Sequence, residues 1–548
     1  MGRPPATSGD LHLASICLSP AHLVPIATTI AAKQTPLANT SVYSCSAMRR
    51  SLIALSESNL VQGFLLAGLL CVMPIQQLRS FTAVADPDIW WHMRVGRWIL
   101  DHHSFPHNGL FSSTGATHTW AAYSWGFEVI VALLNMVLGL KGLAIFVILF
   151  QVTLVLVFFL AMRVLSGSFW WAWLLSAIAI WAMDLNRVDV GRPVAFSILF
   201  FTIEIALILW AQETGRVKYL YWLPLLFLVW ANFHIQFVYG LLLPVLFAAV
   251  ATVERWVAQR WAPGKADTGN GWPFRPLMLW AIFGACLAAT LVNPYTVGLY
   301  RVIFNYTRST FAYTVILEFQ SLNFREIPHY IQLLLVAGAF FALGRRKIDA
   351  YKLALLTIAS MVGFRSVRDS WFVCITAAAI IAASVRKSEA QEAHAVAPAL
   401  GLSALQLGRI LAGAAVVISL SALDNHFGER TLFQTVHEAY PVEAVAFIQE
   451  HHFSGPLYNN FNWGGFLIGN LPDYPVAIDG RTDLYGEDSL RQAYSTLMAL
   501  RWSEDQALNR ANLVLLPSTV PLSRVLERSP QFRLVYSDRI AMVFVRNP

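Results

Sequence analysis

Charge is what this sequence has least of. Of 548 residues only 13% are Asp, Glu, Lys or Arg, while 56% are hydrophobic; a soluble domain carries about 25% charged residues. With a mean hydropathy of +0.53, that shortage excludes an ordinary water-soluble globule and describes a chain whose main solvent is lipid. Cysteine is also scarce. Cys17, Cys45, Cys71, Cys286 and Cys374 are the only five, and no two are spaced C-x-x-C, so neither a zinc knuckle nor a redox pair is indicated. Three of them lie in apolar runs, where cysteine acts as a small hydrophobe. There is no visible internal repeat, and Glu204 is the one acid in the middle of an apolar run; a secondary transporter fits such a pattern poorly. The net charge of +7 does not point to nucleic acid. The Lys and Arg residues sit in short clusters between apolar runs, as in cytoplasmic membrane loops.

What the sequence has in abundance is apolar runs. They recur near 59–78, 142–163, 169–185, 194–211, 219–231, 235–253, 277–292, 328–343, 350–364, 371–385 and 408–423, which predicts a polytopic α-helical membrane protein of about 11 spans. Residues 1–50, rich in Ala, Ser, Thr and Pro, read as a disordered leader, with Met48-Arg49-Arg50 as an alternative start. The domain expectations are a transmembrane domain over 51–423, with a first external loop over 79–141, and an external α/β domain over 424–548.

The run 125–139 is either a further span or an interfacial helix. If it is interfacial, Arg49/Arg50, Arg216/Lys218, Arg255/Arg260/Lys265/Arg275, Arg345/Arg346/Lys347 and Arg386/Lys387 all fall on one side, which the positive-inside rule makes cytoplasmic. Counting it as a span would move every later cluster away from Arg49/Arg50. On the interfacial count, Asp86/Asp88, Arg187/Asp189/Arg192, Asn232/His234, Asn293-Pro294-Tyr295, Glu318 and Arg365/Arg368/Asp369 collect on the outer side, at the ends of different helices. Each alone caps a helix or snorkels; six groups on one face suggest a shared cavity.

After residue 424 charges become frequent. Strands are expected at 456–459, 476–479, 512–516, 532–536 and 541–545, with helices at 442–450, 487–498, 503–511 and 521–528, the alternation of a small α/β domain.

The most informative segment is Asp86-Pro87-Asp88-Ile89-Trp90-Trp91-His92-Met93-Arg94, continuing to Leu100. As a helix it puts Ile89, Met93, Gly96, Ile99 and Leu100 on one arc and Arg94, Arg97 and Asp101 on the other, which reads as an interfacial amphipathic helix. Asp88 and His92 are one turn apart and share a face. Two carboxylates beside an imidazole suit a divalent cation or a proton; equally, Asp88 caps a helix.

This segment, by its place in the first external loop, resembles the GT-C type of polytopic glycosyltransferases, and more closely a glycosyltransferase-like bacterial branch. Further matching pieces are Ser124-Trp125-Gly126-Phe127-Glu128, Arg192-Pro193, Trp230-Ala231-Asn232-Phe233-His234, Asn293-Pro294-Tyr295, Arg365-Ser366-Val367-Arg368, Asn462-Trp463-Gly464-Gly465 and Asp479-Gly480-Arg481-Thr482-Asp483-Leu484-Tyr485. The resemblance implies sugar transfer from a polyprenyl-phosphate donor to a glycan, lipid or protein acceptor at the outer face of a bacterial inner membrane. The alternative is a non-catalytic membrane protein that binds lipid-linked glycans or assists envelope assembly. Such transfer needs a base for the acceptor's proton and positive charge or a metal for the departing phosphate. The expected base or metal ligand is Asp86 or Asp88, with Mg or Mn as the possible metal. Arg187, Arg192, Arg365 and Arg368 are candidate phosphate clamps. His92, His234 and Glu128 are expected to contact substrate or metal. Asp479, Arg481 and Asp483, just past a strand, form either a carbohydrate-binding loop or a structural turn.

Overall fold

The computed structural model describes residues 58–79, 81–183, 191–261, 274–308, 311, 314, 317–345, 348–386 and 403–548. The expected leader and the candidate clamp Arg187 lie outside these residues. From Asn59 to Pro548 the chain forms one compact unit.

Among the described residues, each of the eleven apolar runs is largely helical. In chain order they are α1 (Asn59–Arg79), α4 (Leu140–Ser166), α5 (Phe169–Ala182), α6 (Val194–Thr214), a 3-10 turn running into α7 (Leu223–Trp230), α8 (Phe237–Trp261), α9 (Pro276–Thr290), α11 (Ile327–Gly344), α12 (Ala350–Arg365), α13 (Ser370–Val385) and α14 (Ala404–Asp424). Between them come α2 (Pro87–His102), α3 (Trp125–Leu138) and α10 (Gly298–Arg308). Seven helices are long and apolar enough to cross a membrane: α1, α4, α6, α8, α11, α13 with the turn before it, and α14. Helix α3 has 14 residues, about 21 Å at 1.5 Å per residue, and shares this shortness with α5, α7 with its leading turn, and α9, so length alone does not separate it from them. Helix α13 is the hub of the bundle. From Ser370 to Ile380 every residue is buried, as expected for a helix apolar all round and enclosed by others.

Helix α2 departs from the interfacial expectation. Asp86 is its N-cap, accepting a hydrogen bond from the Asp88 backbone N–H, and Pro87 opens the first turn; proline suits that position because its missing N–H would have no helical partner. So Asp86, not Asp88, does the capping. The arc Ile89, Met93, Gly96 and Ile99 is buried as expected, but so are Trp90, Trp91, His92 and Val95. One side packs on α3, where Gly96 lies so close to Glu128 that a Cβ would stand 2.0 Å from its carbonyl oxygen. The other side is covered by α17 (Gly464–Asn470) of the C-terminal segment. Both flanks of α2 are thus packed against protein, while Arg97, Asp101 and His102 stay exposed.

The C-terminal segment begins with α15 (Glu429–Ala439) and α16 (Val442–His451) and builds a sheet of order β1-β2-β4-β3. Strands β1 (Leu457–Asn459) and β2 (Leu513–Pro517) are parallel, while β4 (Ala541–Arg546) runs antiparallel to both β2 and β3 (Phe532–Ser537). Helices α18 (Thr482–Leu497), α19 (Gln506–Arg510) and α20 (Pro521–Glu527) complete it. Four of the five expected strands form. The fifth, 476–479, stays out of the sheet. Val476 instead bridges Ser112, with Ser113 N–H donating to the Val476 carbonyl at 2.9 Å, so the loop before α3 is stitched to the C-terminal segment.

Candidate functional site

Arg192 stands at the start of α6, and three carboxylates meet its guanidinium. Its Nε and Nη2 grip Asp86, the latter at 2.9 Å from Oδ1. Its Nη2 lies 3.7 Å from Asp88 Oδ2, and its Nη1 lies 3.1 Å from Glu318 Oε2. The other Glu318 oxygen lies 3.5 Å from Arg368 Nη1, and Arg368 rests over the Phe319 ring. Five charged side chains from four stretches of sequence thus form one chain of ion pairs.

The two acids of the first loop differ. The Asp86 side chain is 1% exposed, and both its oxygens are engaged by Arg192. The Asp88 side chain is 23% exposed; its Oδ1 accepts from Trp91 Nε1 at 3.0 Å. Burial pushes the Asp88 carboxyl up to about 6, with Arg192 opposing and Asp86 and Glu318 adding to the rise. Such a group is ionised at neutral pH yet basic enough to take a proton. Gly480 abuts it: a Cβ there would stand 1.8 Å from Asp88 Oδ1, so any side chain at 480 would have to displace this carboxylate.

On the other side of Arg192 opens a cavity of about 580 Å³, lined by His92, Tyr123, His234, Glu318, Arg368 and His329 among others. Burial lowers the pKa of both His92 and His234 well below the usual imidazole value, Arg192 adding to the effect on the first and Arg368 on the second. His92 Nδ1 is 3.2 Å from Glu128 Oε1. Burial holds the Glu128 carboxyl well above the carboxylate range, so burial disfavours charge on both partners. Glu128 therefore sits behind His92 and orients it, off the cavity wall. Ser197 Oγ accepts from Trp230 Nε1 and lies 2.8 Å from His234 Nδ1. With the serine proton directed to Nδ1, His234 offers Nε2–H as a donor.

The expected clamps divide. Arg192 and Arg368 meet at Glu318, whereas Arg365 is exposed and off the cavity wall. In the C-terminal loop, Asp479 and Arg481 form a bidentate pair with both side chains 0% exposed. Tyr485 donates to Asp479 at 2.6 Å, and Arg481 donates to the Leu110 carbonyl at 2.8 Å while lying over Trp120. These two residues fasten the first loop to the C-terminal segment, which is the structural-turn alternative. Asp483 is different. It accepts from Tyr306 at 3.4 Å, and Tyr306 lies 3.3 Å from the hydroxyl of Tyr123 on the cavity wall. Burial raises the Asp483 carboxyl to about 6. Sequence does not single out the two tyrosines, since a phenol in a loop (Tyr123) or on an amphipathic helix (Tyr306) carries no local mark of its partner. Asn232 and Tyr295 are structural: one accepts from Trp125 Nε1, the other donates to the Pro106 carbonyl.

The expected divalent metal does not suit the carboxylates as arranged. The space between Asp86, Asp88 and Glu318 is filled by the Arg192 guanidinium, and among the described residues no group of three or more His, Cys, Asp or Glu is placed to hold an ion. The chain matches no protein-family model and no curated protein, so its function has to be argued from this geometry.

Proposed function

We propose that the chain is a membrane glycosyltransferase of the GT-C type, taking its sugar from a polyprenyl-phosphate donor at the outer face of a bacterial inner membrane. The observation that carries this is the position of Asp88, a partly exposed acid with its pKa at about 6, 3.7 Å from an arginine that lines a cavity together with His92, His234, Glu318 and Arg368. A base and a phosphate clamp are thereby neighbours. In the reaction the acceptor hydroxyl oxygen bonds the anomeric carbon, and the bond from that carbon to the phosphate oxygen breaks. The hydroxyl proton passes to Asp88. The charge left on the polyprenyl phosphate is held by Arg192 and Arg368. Asp86 acts through Arg192, keeping the guanidinium in place, and neutral His234 is a donor for sugar hydroxyls.

The test is sugar loss from radiolabelled polyprenyl-phosphate sugars by the purified protein in nanodiscs. Turnover that needs Asp88 supports the reading. Tight donor binding without turnover, unchanged in Asp88→Asn, would instead favour the non-catalytic reading, in which the chain binds lipid-linked glycans.

The topology belongs to this proposal. With α3 at the interface and all eleven apolar helices crossing, the N-terminus is cytoplasmic and the C-terminal segment external. A reporter fused after Arg345 should read cytoplasmic, and one fused after Pro548 external. Cysteines placed at the exposed positions 119 and 141 should label from the same face. Both reporters on one side, or labels from opposite faces, would sink the assignment.

A further inference from the structure

Glu318 stands where a ligand anion would be expected. Asp86 engages Nε and Nη2 of Arg192, which leaves Nη1 as the nitrogen directed to the cavity side; its partner is Glu318, at 3.1 Å. The nearest nitrogen of Arg368, also Nη1, meets the second Glu318 oxygen at 3.5 Å. One carboxylate therefore bridges two guanidinium groups on the wall of a cavity of about 580 Å³. The oxygens of a carboxylate and of a phosphate have similar spacing, and both suit the guanidinium fork. We propose that Glu318 is an internal stand-in for a phosphate group, and that ligand phosphate binds Arg192 and Arg368 only by displacing it. This rests on the reading above that these two arginines take a phosphate.

How Glu318 leaves is set by its backbone. Ser366 Oγ donates to the Glu318 carbonyl at 3.3 Å, and Val367 N–H donates to the Gln320 carbonyl at 2.9 Å. The segment is thus tied to the stretch that carries Arg368, and the side chain swings out while the backbone stays. The side chain is 38% exposed, so its carboxylate has water to move into. While Glu318 is in place, the two arginines are balanced within the protein and the cavity does not present a bare double positive charge. A phosphate must exceed the carboxylate in charge or in number of contacts to enter, which disfavours weak anions.

The experiment measures binding of inorganic phosphate and of polyprenyl phosphate to the protein in nanodiscs, for wild type, Glu318→Gln, Glu318→Asp, Arg192→Gln and Arg368→Gln. Glutamine keeps the shape and removes the competing charge. Both probes should bind Glu318→Gln about tenfold or more tightly than wild type, within the range usual for coupled equilibria. Aspartate keeps the charge but is too short to bridge both arginines, so Glu318→Asp should fall between; it also serves if Glu318→Gln folds poorly. Each arginine variant should lose phosphate binding. A gain with polyprenyl phosphate alone identifies the lipid headgroup as the natural anion, and a gain with both identifies a general phosphate site; either supports the displacement. Equal or weaker binding in Glu318→Gln, while the arginine variants lose it, makes Glu318 an ordinary wall residue and overturns the proposal, with the phosphate reading intact. No phosphate binding by any variant overturns it together with that reading. Tighter binding without sugar transfer from any donor would sink the glycosyltransferase assignment and leave the displacement standing.

Discussion

Asp88→Asn should lower sugar transfer by about 10²–10⁴, the usual cost of removing a general base, with little change in folding. Asparagine keeps an oxygen for Trp91 Nε1, whose hydrogen bond is the main structural contact of Asp88, and the helix cap is carried by Asp86. The sign with pH follows from the raised pKa. A carboxyl held near 6 is a protonated, inactive base below that pH. Wild-type transfer should therefore fall as pH drops through about 6, and the residual activity of Asp88→Asn should lack that limb. Asp483 has a similar value, so Asp483→Asn is the control; if the limb disappears there and persists in Asp88→Asn, the base has been misassigned. Asp86→Asn should behave differently. It still caps α2 but loosens Arg192, so donor affinity should fall more than the chemical step. A stably inserted Asp88→Asn protein with full transfer would end the catalytic reading of this acid.

Asp479→Ala should have the largest effect on stability. It leaves the Arg481 guanidinium buried and without its counter-charge, and breaking a buried pair from one side costs about 3–5 kcal/mol. Tyr485 loses its acceptor at the same time. Because Arg481 also holds the Leu110 carbonyl, the loss should spread to the 107–120 loop. Thermal unfolding in detergent and protease nicking of that loop would both report it. The double variant Asp479→Leu, Arg481→Met should recover much of the loss, since well-packed apolar residues often replace a buried ion pair at no cost. Were Asp479→Ala to fold as well as wild type and fail only in sugar binding, the carbohydrate-loop alternative would be restored.

Much of the scaffold was legible from sequence because lipid imposes a simple rule: backbone polar groups must be paired within the segment, so long apolar runs become helices. Boundaries near 59, 194 and 370 could be read to within a few residues. The strands of the C-terminal segment were legible for a similar reason, being short apolar runs between turns. The stretch 476–479 misled because an extended apolar run does not say what it will pair with; here the partner is a loop more than three hundred residues earlier.

The site divides in the same way. Sequence alone determined that the chain is dominated by apolar helices, seven of them long enough to cross a membrane, and that acids, arginines and histidines gather at helix ends in a few short motifs. Composition and periodicity are local, so they can be read without the fold. Only the tertiary structure decided which of those groups meet. It gave Asp86 to Arg192 and left Asp88 partly open; it placed Glu128 behind His92, and it buried Asp479 and Arg481 as a fastening. Whether a carboxylate caps, pairs or acts as a base depends on burial and on charges within a few ångströms, and those neighbours come from segments far apart in the chain.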